Sequence, residues 1–323
     1  MELLIYLILF LLVLIVSSTT NKLLPFLPLP LVQILLGIVI GLFLPNTDFH
    51  LNTELFLALV IGPLLFRESE EADITAILKH WRIIIYLIFP VIFISTLSLG
   101  GLAHLLWFSL PLAACLAVGA ALGPTDLVAF ASLSERFSFP KRVSNILKGE
   151  GLLNDASGLV AFQVALTAWT TGAFSLGQAS SSLIFSILGG FLIGFLTAMT
   201  NRFLHSFLLS VRATDIASEL LLELSLPLVT FFLAEEVHVS GIIAVVVAGI
   251  LKASRFKKIT LLEAQVDTVT ETVWHTVNFM LNGSVFVILG MELEMIAEPI
   301  LTNPIYNPLL LLVSLISLTF VLF

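Results

Sequence analysis

The chain has 323 residues, of which 59% are hydrophobic and 11% charged, less than half the charged share of an ordinary soluble domain. Together with a mean hydropathy of +1.11, this composition excludes a soluble globular protein. The single cysteine, Cys115, excludes an internal disulfide and any cysteine metal cluster.

A bilayer span needs about 20 apolar residues, and about eleven such runs follow one another, so an all-α polytopic membrane protein is expected. The spans are placed near residues 2–18, 30–44, 51–66, 83–106, 111–134, 146–170, 180–200, 215–236, 239–251, 268–290 and 305–323. The first run opens Met1-Glu2 with no basic region and no small-residue cleavage site, so it reads as a retained span rather than a signal peptide. The ninth is short, which suggests a tilted or partly re-entrant helix. Breakers separate the runs: Pro25, Pro28 and Pro30, then Pro45-Asn46, Pro140, Thr171-Gly172 and Glu298-Pro299. The last run reaches Phe323 with no polar anchor, so the chain reads as a fragment cut inside its eleventh span.

The basic residues sort by parity. Lys22 follows span 1; Arg67, Lys79 and Arg82 follow span 3; Arg136, Lys141, Arg142 and Lys148 follow span 5. Arg202 and Arg212 follow span 7, and Lys252, Arg255, Lys257 and Lys258 follow span 9. These are all 14 Lys and Arg of the chain, and the even gaps hold none. By the positive-inside rule the odd gaps are cytoplasmic and the N-terminus is outside, in a multi-pass protein of the cell membrane. No G-x-x-x-x-G-K-[ST] loop is present, so the chain carries no ATP-driven motor, and no nucleic-acid partner is expected. The pairs Gly37 and Gly41, Gly119 and Gly123, and Gly190 and Gly194 let helices approach closely, and packing alone accounts for them.

Ionisable side chains inside a span are costly, so each marks a site unless it is paired structurally. The first cluster is Gly123-Pro124-Thr125-Asp126 in the middle of span 5, where proline removes a helix donor and clashes with the preceding turn. A broken helix is expected there, with Thr125 capping the inner half and Asp126 facing its positive dipole end. Unwound backbone at membrane depth lines cavities in transporters. The plain alternative is a proline kink with a locally satisfied aspartate.

The second cluster is Glu150-Gly151-Leu152-Leu153-Asn154-Asp155-Ala156-Ser157-Gly158 in span 6. At helical spacing Glu150, Asn154 and Ser157 share one face, and Gly151, Asp155 and Gly158 another. Glycines one turn above and below would let the broken backbone come close to Asp155. Counted from Glu135 and Lys148, Asp126 and Asp155 both lie roughly 10–13 Å from the same membrane edge, so the two acids can meet. A carboxylate held there would exchange a proton for a cation. The plain alternative is a hydrogen-bonded aspartate that locks two helices together.

Gly-Pro-Thr-Asp at 123–126, followed by Asn154-Asp155 with Asp155 standing 29 positions after Asp126, resembles the NhaP-type sodium/proton antiporters of the cation:proton antiporter superfamily. Supporting stretches are Gly62-Pro63-Leu64-Leu65-Phe66, Val239-Ser240-Gly241-Ile242-Ile243-Ala244 and Phe279-Met280-Leu281-Asn282-Gly283-Ser284-Val285-Phe286. The resemblance implies an N-out inverted-repeat fold of about thirteen helices, a homodimer, and a core moving against an interface domain. Residues 1–82 and 171–300 would be interface helices, 83–170 core helices, and 301–323 the truncated start of a second core half.

Residue by residue, the resemblance makes Asp155 the shared proton and cation carboxylate and Asn154 its positioning partner. Thr125 and Asp126 stand at the crossing of the broken helices and, with Asp155, would hold sodium. Glu150 would hold Asn154, as its i, i+4 position also suggests. An Asn-Asp pair implies electroneutral exchange, one carboxylate carrying one charge. Gly151 stands where many members have serine, so a water would replace that hydroxyl, and Ser157 is a secondary candidate. Arg67 replaces a common glutamate after Leu-Leu-Phe, with Glu68 next.

Other polar residues read more plainly. Asp267, Glu271, His275, Asn278 and Asn282 form a polar seam along span 10, and Asp215, Glu219 and Glu223 a solvated face or funnel lining on span 8. Glu68, Glu70, Glu71 and Asp73 with Lys79 and Arg82 read as a solvated cytoplasmic loop. The function expected is secondary active exchange of sodium, or lithium as a surrogate, for protons by alternating access, serving pH homeostasis, with no resident cofactor and no enzymatic activity. Potassium/proton exchange is the alternative within the class; a cation channel or a pH-sensing membrane protein is the alternative outside it. A pore would show acid rings or a filter-like loop, and the sequence shows neither.

Overall fold

The computed structural model describes residues 2–24, 26–43, 52–72, 79, 82–83, 86, 92–107, 110–124, 140–171, 176–211, 215–253 and 261–302, in parts of the helices as backbone alone. Among these residues there is no strand. The helices are α1 (Glu2–Leu23), α2 (Leu29–Phe43), α3 (Thr53–Phe56), α4 (Gly62–Glu71), α5 (Ile92–Leu106) and α6 (Leu112–Leu122). They continue with α7 (Lys141–Thr171), α8 (Leu176–Ser210), α9 (Ile216–Glu236), α10 (Gly241–Ala253) and α11 (Leu261–Thr302). Each of the first ten expected spans contains described helix, span 3 being divided between α3, a π-turn and α4, while 84–85 and 87–91 of span 4, 125–134 of span 5 and all of 305–323 lie outside the described residues.

Pro28, Pro30 and Pro140 act as their chemistry requires, and Pro25, Pro45-Asn46 and Gly172 lie outside the described residues. α2 begins beside Pro28 and holds Pro30 in its first turn, where a missing N–H costs nothing. α7 starts just after Pro140, and its last residue is Thr171. By contrast, α9 runs straight through Pro227, and α11 runs on through Pro299 to Thr302 where a break was expected. Within membranes neighbouring helices and local adjustments re-satisfy the freed carbonyl, so proline need not end a helix. In span 3 the answer is different: a π-turn at Leu57–Ile61 leads directly into Gly62-Pro63. The wider turn makes room for a ring that would otherwise strike the carbonyl of Leu59.

Three stretches, Phe185–Ser210, Ile216–Glu236 and Thr268–Leu293, are each long and apolar enough to cross a bilayer; Ile8–Leu23, Leu29–Leu42, Phe93–Leu106, Leu112–Leu122 and Gly241–Ala253 are shorter apolar helices. Large apolar side chains lie on the outside, among them Phe185, Leu188, Phe191 and Phe203 of α8. The buried positions are instead rich in alanine, including Ala103, Ala120, Ala234, Ala244 and Ala248. This inverts the soluble pattern, because lipid is as apolar as leucine and close backbone packing holds such helices together.

The chain divides into two compact units. The first draws on Met1–Leu64 and the described part of Ile259–Leu311. In it α2 and α11 cross at Gly37 and Gly290: a methyl on Gly37 would strike the carbonyl of Val287, and one on Gly290 that of Ile34. Trp274 and Gln33 are fully buried there. The second unit draws on Leu65–Lys258. Its helices meet at glycines too: Gly119 of α6 on Gly100 of α5, and Gly190 and Gly194 of α8 on Ser240 and Ala244 at α10.

Candidate functional site

The site is built from the end of one helix and the flank of the next. α6 stops at Leu122, and Gly123 and Pro124 follow as a bend. A methyl on Gly119 would lie 2.5 Å from the carbonyl of Thr96 and 2.7 Å from the amide of Gly100, and one on Gly123 would lie 2.9 Å from Ser95 Oγ. The final turn of α6 is therefore wedged against α5, with no space for side chains between them.

On its other side the bend meets α7. A methyl built on Gly158 would overlap Pro124 Cγ and lie 3.2 Å from Cδ and 3.4 Å from Cβ. The proline ring thus sits in the notch that Gly158 leaves in the α7 surface. Gly158 follows Asp155 by three residues, a little under one helical turn. The glycine expected to admit the broken backbone does so, and the bend is placed within about a turn of the position of Asp155.

Among the residues expected to carry ions, Asn154 and Asp155 lie within α7, whose backbone is described there, whereas Thr125 and Asp126 lie outside the described residues. Glu150 is 7% exposed and engaged with other groups rather than a lone charge. Gly151 and Gly158 are buried, and Ser157 is half-buried and engaged. Two residues near the bend escaped sequence reasoning. Ser95 brings its hydroxyl to Gly123, Thr96 brings its backbone carbonyl to Gly119, and the Thr96 hydroxyl is buried without a hydrogen-bond partner among the described residues. The only signal was a Ser-Thr pair in an otherwise apolar run.

A second polar assembly overturns two plain readings. Lys252, in the last turn of α10, places Nζ 2.8 Å from Glu223 Oε1 of α9 and 3.2 Å from Glu70 Oε1 of α4. Arg67 reaches the other oxygen of Glu70 at 2.9 Å and Glu71 Oε1 at 2.7 Å. Next along α9, Glu219 Oε2 lies 3.2 Å from His205 Nε2 of α8. Glu70 is not in a solvated loop, nor are Glu219 and Glu223 on a solvated face; their side chains are 16%, 10% and 14% exposed. Glu70 and Glu223 are drawn inward by the Lys252 ammonium and Glu219 by the His205 ring, each partner on another helix, which the acid's own sequence neighbourhood does not reveal. Asp73 lies outside the described residues.

Residues 7–323 match the family model of the transmembrane sodium/hydrogen exchanger. The chain belongs to that family. It is therefore a multi-pass membrane protein of a transporter family rather than an enzyme. It is 36% identical over 307 residues to the sodium, potassium, lithium and rubidium/H(+) antiporter of Bacillus subtilis, which covers 95% of this chain and 46% of that protein. It is 32% identical to the uncharacterized Na(+)/H(+) exchanger YjcE of Escherichia coli, over 92% of this chain and 54% of that one. The chain thus spans about half the length of these curated relatives. Its fold resembles that of the sodium proton antiporter MjNhaP1 from Methanocaldococcus jannaschii, with a TM-score of 0.68 at 19% identity, covering 90% of this chain and 70% of that one.

Proposed function

We propose that the protein exchanges a monovalent cation for protons across the plasma membrane by alternating access, with Asp155 as the shared carboxylate. The observation that carries this reading is the seat of Pro124 on Gly158, which sets a helix break beside the turn that holds Asn154 and Asp155. At membrane depth a carboxylate without water is costly as a bare charge, so it holds either a proton or a cation. One carboxylate carrying one charge gives electroneutral exchange. Asn154 positions Asp155, Glu150 holds Asn154 from one turn below, and Thr125 with Asp126 completes the cation shell. Gly151 leaves space for a water, and Ser157 lines the neighbouring face.

In this scheme residues 83–170 belong to the moving core, 1–82 and 171–300 to the interface part of an inverted-repeat fold, and 301–323 open a second core half. The N-terminus is outside, the basic gaps are cytoplasmic, and the working unit is a homodimer. Sodium and lithium are the expected cations, with potassium kept beside them because the Bacillus subtilis relative is named for sodium, potassium, lithium and rubidium.

The test is transport in proteoliposomes with an internal pH dye, adding sodium, lithium or potassium to wild type and to Asp155→Asn. A cation-driven pH change in wild type that disappears in the variant is expected, and the active ions name the substrate. Equal activity in the variant, or silence of wild type with every ion, removes Asp155 or exchange itself from the account.

A further inference from the structure

Exchange at Asp155 needs the chain to leave the Gly123-Pro124 bend in a fixed direction, because Thr125 and Asp126 follow it directly. The helix cannot supply that direction by itself. Pro124 has no N–H, so the bond that would tie it back to the carbonyl of Ala120 is missing. The bend must be held by its neighbours. α7 supplies one hold, where Pro124 sits on Gly158, and α5 supplies the other.

The contact between α5 and α6 changes character as it nears the bend. A methyl on Gly100 would lie 2.9 Å from Leu116 Cα and 3.0 Å from the Cys115 carbonyl, and one on Gly119 would lie 2.5 Å from the Thr96 carbonyl. There the two backbones touch. At Gly123 the group in the way is instead a side-chain hydroxyl, Ser95 Oγ at 2.9 Å, with Ser95 Cβ at 3.8 Å. Ser95 is half-buried and engaged with another group. A hydroxyl offers one donor and two acceptor positions, so that engagement steadies the oxygen without removing it from Gly123. A single oxygen atom thus sets the gap between α5 and the end of α6. A binding constellation tolerates about 0.5 Å of displacement, less than the loss of an oxygen atom opens.

We infer that Ser95 is a positioning residue for the exchange site: its hydroxyl and the Gly158 notch hold the Gly123-Pro124 bend from two helices and so fix where the chain turns towards Thr125 and Asp126. The inference rests on the exchange reading above and adds to it a residue of span 4 that acts through the backbone of span 5.

The contact is tested first without transport. In a Cys115→Ala background, Ser95→Cys with Gly123→Cys places β-carbons 3.8 Å apart, the usual separation in a disulfide, and the φ of −73° and ψ of −37° at Gly123 suit cysteine. A membrane-permeant oxidant should close the bridge, read as loss of both reactive thiols; failure to close it overturns the inference. Exchange is then measured in proteoliposomes, beside wild type and Asp155→Asn, against the concentration of the most active of sodium, lithium and potassium. Ser95→Ala should raise the concentration for half-maximal exchange about fivefold, with maximal rate and melting temperature close to wild type. Ser95→Thr, which keeps the hydroxyl, should restore it, and Ala at the exposed Ser98 of the same helix should change nothing. An unchanged half-maximal concentration in Ser95→Ala, or a rise that Ser95→Thr does not restore, overturns the inference while exchange through Asp155 stands. A Ser95→Ala protein that does not fold makes the serine structural and also overturns it. Silence of wild type with every ion removes exchange itself, and the inference with it.

Discussion

Replacing Gly158 with alanine tests the contact on which the proposed site depends. The added methyl would overlap Pro124 Cγ and crowd Cδ at 3.2 Å and Cβ at 3.4 Å. Carbon atoms in good contact lie about 3.5–4.0 Å apart, so the proline bend and α7 must separate by about 1 Å. The proline ring is closed and cannot swing aside as a flexible side chain would. Overpacking of this kind costs about 1–3 kcal/mol. Against it stands the gain of up to about 1 kcal/mol from replacing glycine by alanine inside a helix. Because the rigid ring puts the clash at the upper part of its range, the clash wins, leaving a net loss of up to about 2 kcal/mol. Gly101 of α5 is the matched control, because a methyl there would meet nothing within 4 Å. Gly101→Ala should keep or raise stability, while Gly158→Ala should lower the melting temperature by several degrees. In proteoliposomes the Gly158 variant should lose most of its cation-driven pH change, and the control should keep it. Wild-type stability and exchange in Gly158→Ala, or equal damage in Gly101→Ala, would refute the reasoning.

Two further outcomes follow from contacts elsewhere in the second unit. Thr230 donates a buried hydroxyl hydrogen bond to Thr197 Oγ1 at 3.0 Å, joining α8 to α9. Thr197 keeps its own helix carbonyl acceptors, so Thr230→Val should cost only about 0.6 kcal/mol, read as the coupling in a thermal-unfolding cycle with Thr197→Val; zero coupling would remove the bond from the account. At the aqueous start of α9, Asp215 caps the helix by accepting from the Ser218 amide at 2.8 Å. The Ser218 hydroxyl and amide hold its carboxyl below the ordinary value of 3.8. A lowered folded value means the cap stabilises fully above the ordinary aspartate range and loses this as pH falls through the lowered value. Asp215→Ala should therefore melt below wild type at pH 6, and the gap should close in strong acid; a gap that stays constant with pH would contradict this.

The helical apolar runs were legible because bilayer thickness demands them, and the end of α6 was legible at Gly123-Pro124 because proline cannot continue a ladder whose donor it lacks. Proline alone was a poor guide: Pro227 and Pro299 sit inside unbroken helices, and Pro63 follows a π-turn that the sequence did not announce. The seat of Pro124 on Gly158 was legible from the small residues one turn either side of Asp155. The ion pairs were not. Glu70, Glu223 and Lys252 lie far apart in the chain, and each alone has the look of a surface charge. Periodicity reports which face a residue occupies, not which distant helix will cover that face. For the same reason Ser95, whose hydroxyl lies at Gly123, has the look of an ordinary polar interruption.

The length of α11 has a consequence of its own. Its 42 residues make a rod of about 63 Å, roughly twice the thickness of a bilayer's hydrocarbon layer. Its membrane-length apolar part is Thr268–Leu293, so helix extends beyond that part at both ends. Those ends act as levers: a few degrees of tilt at the buried centre become ångströms of travel at the tips. A pair of spectroscopic probes on the two overhangs would read such a tilt in the intact protein without altering any residue inside the lipid.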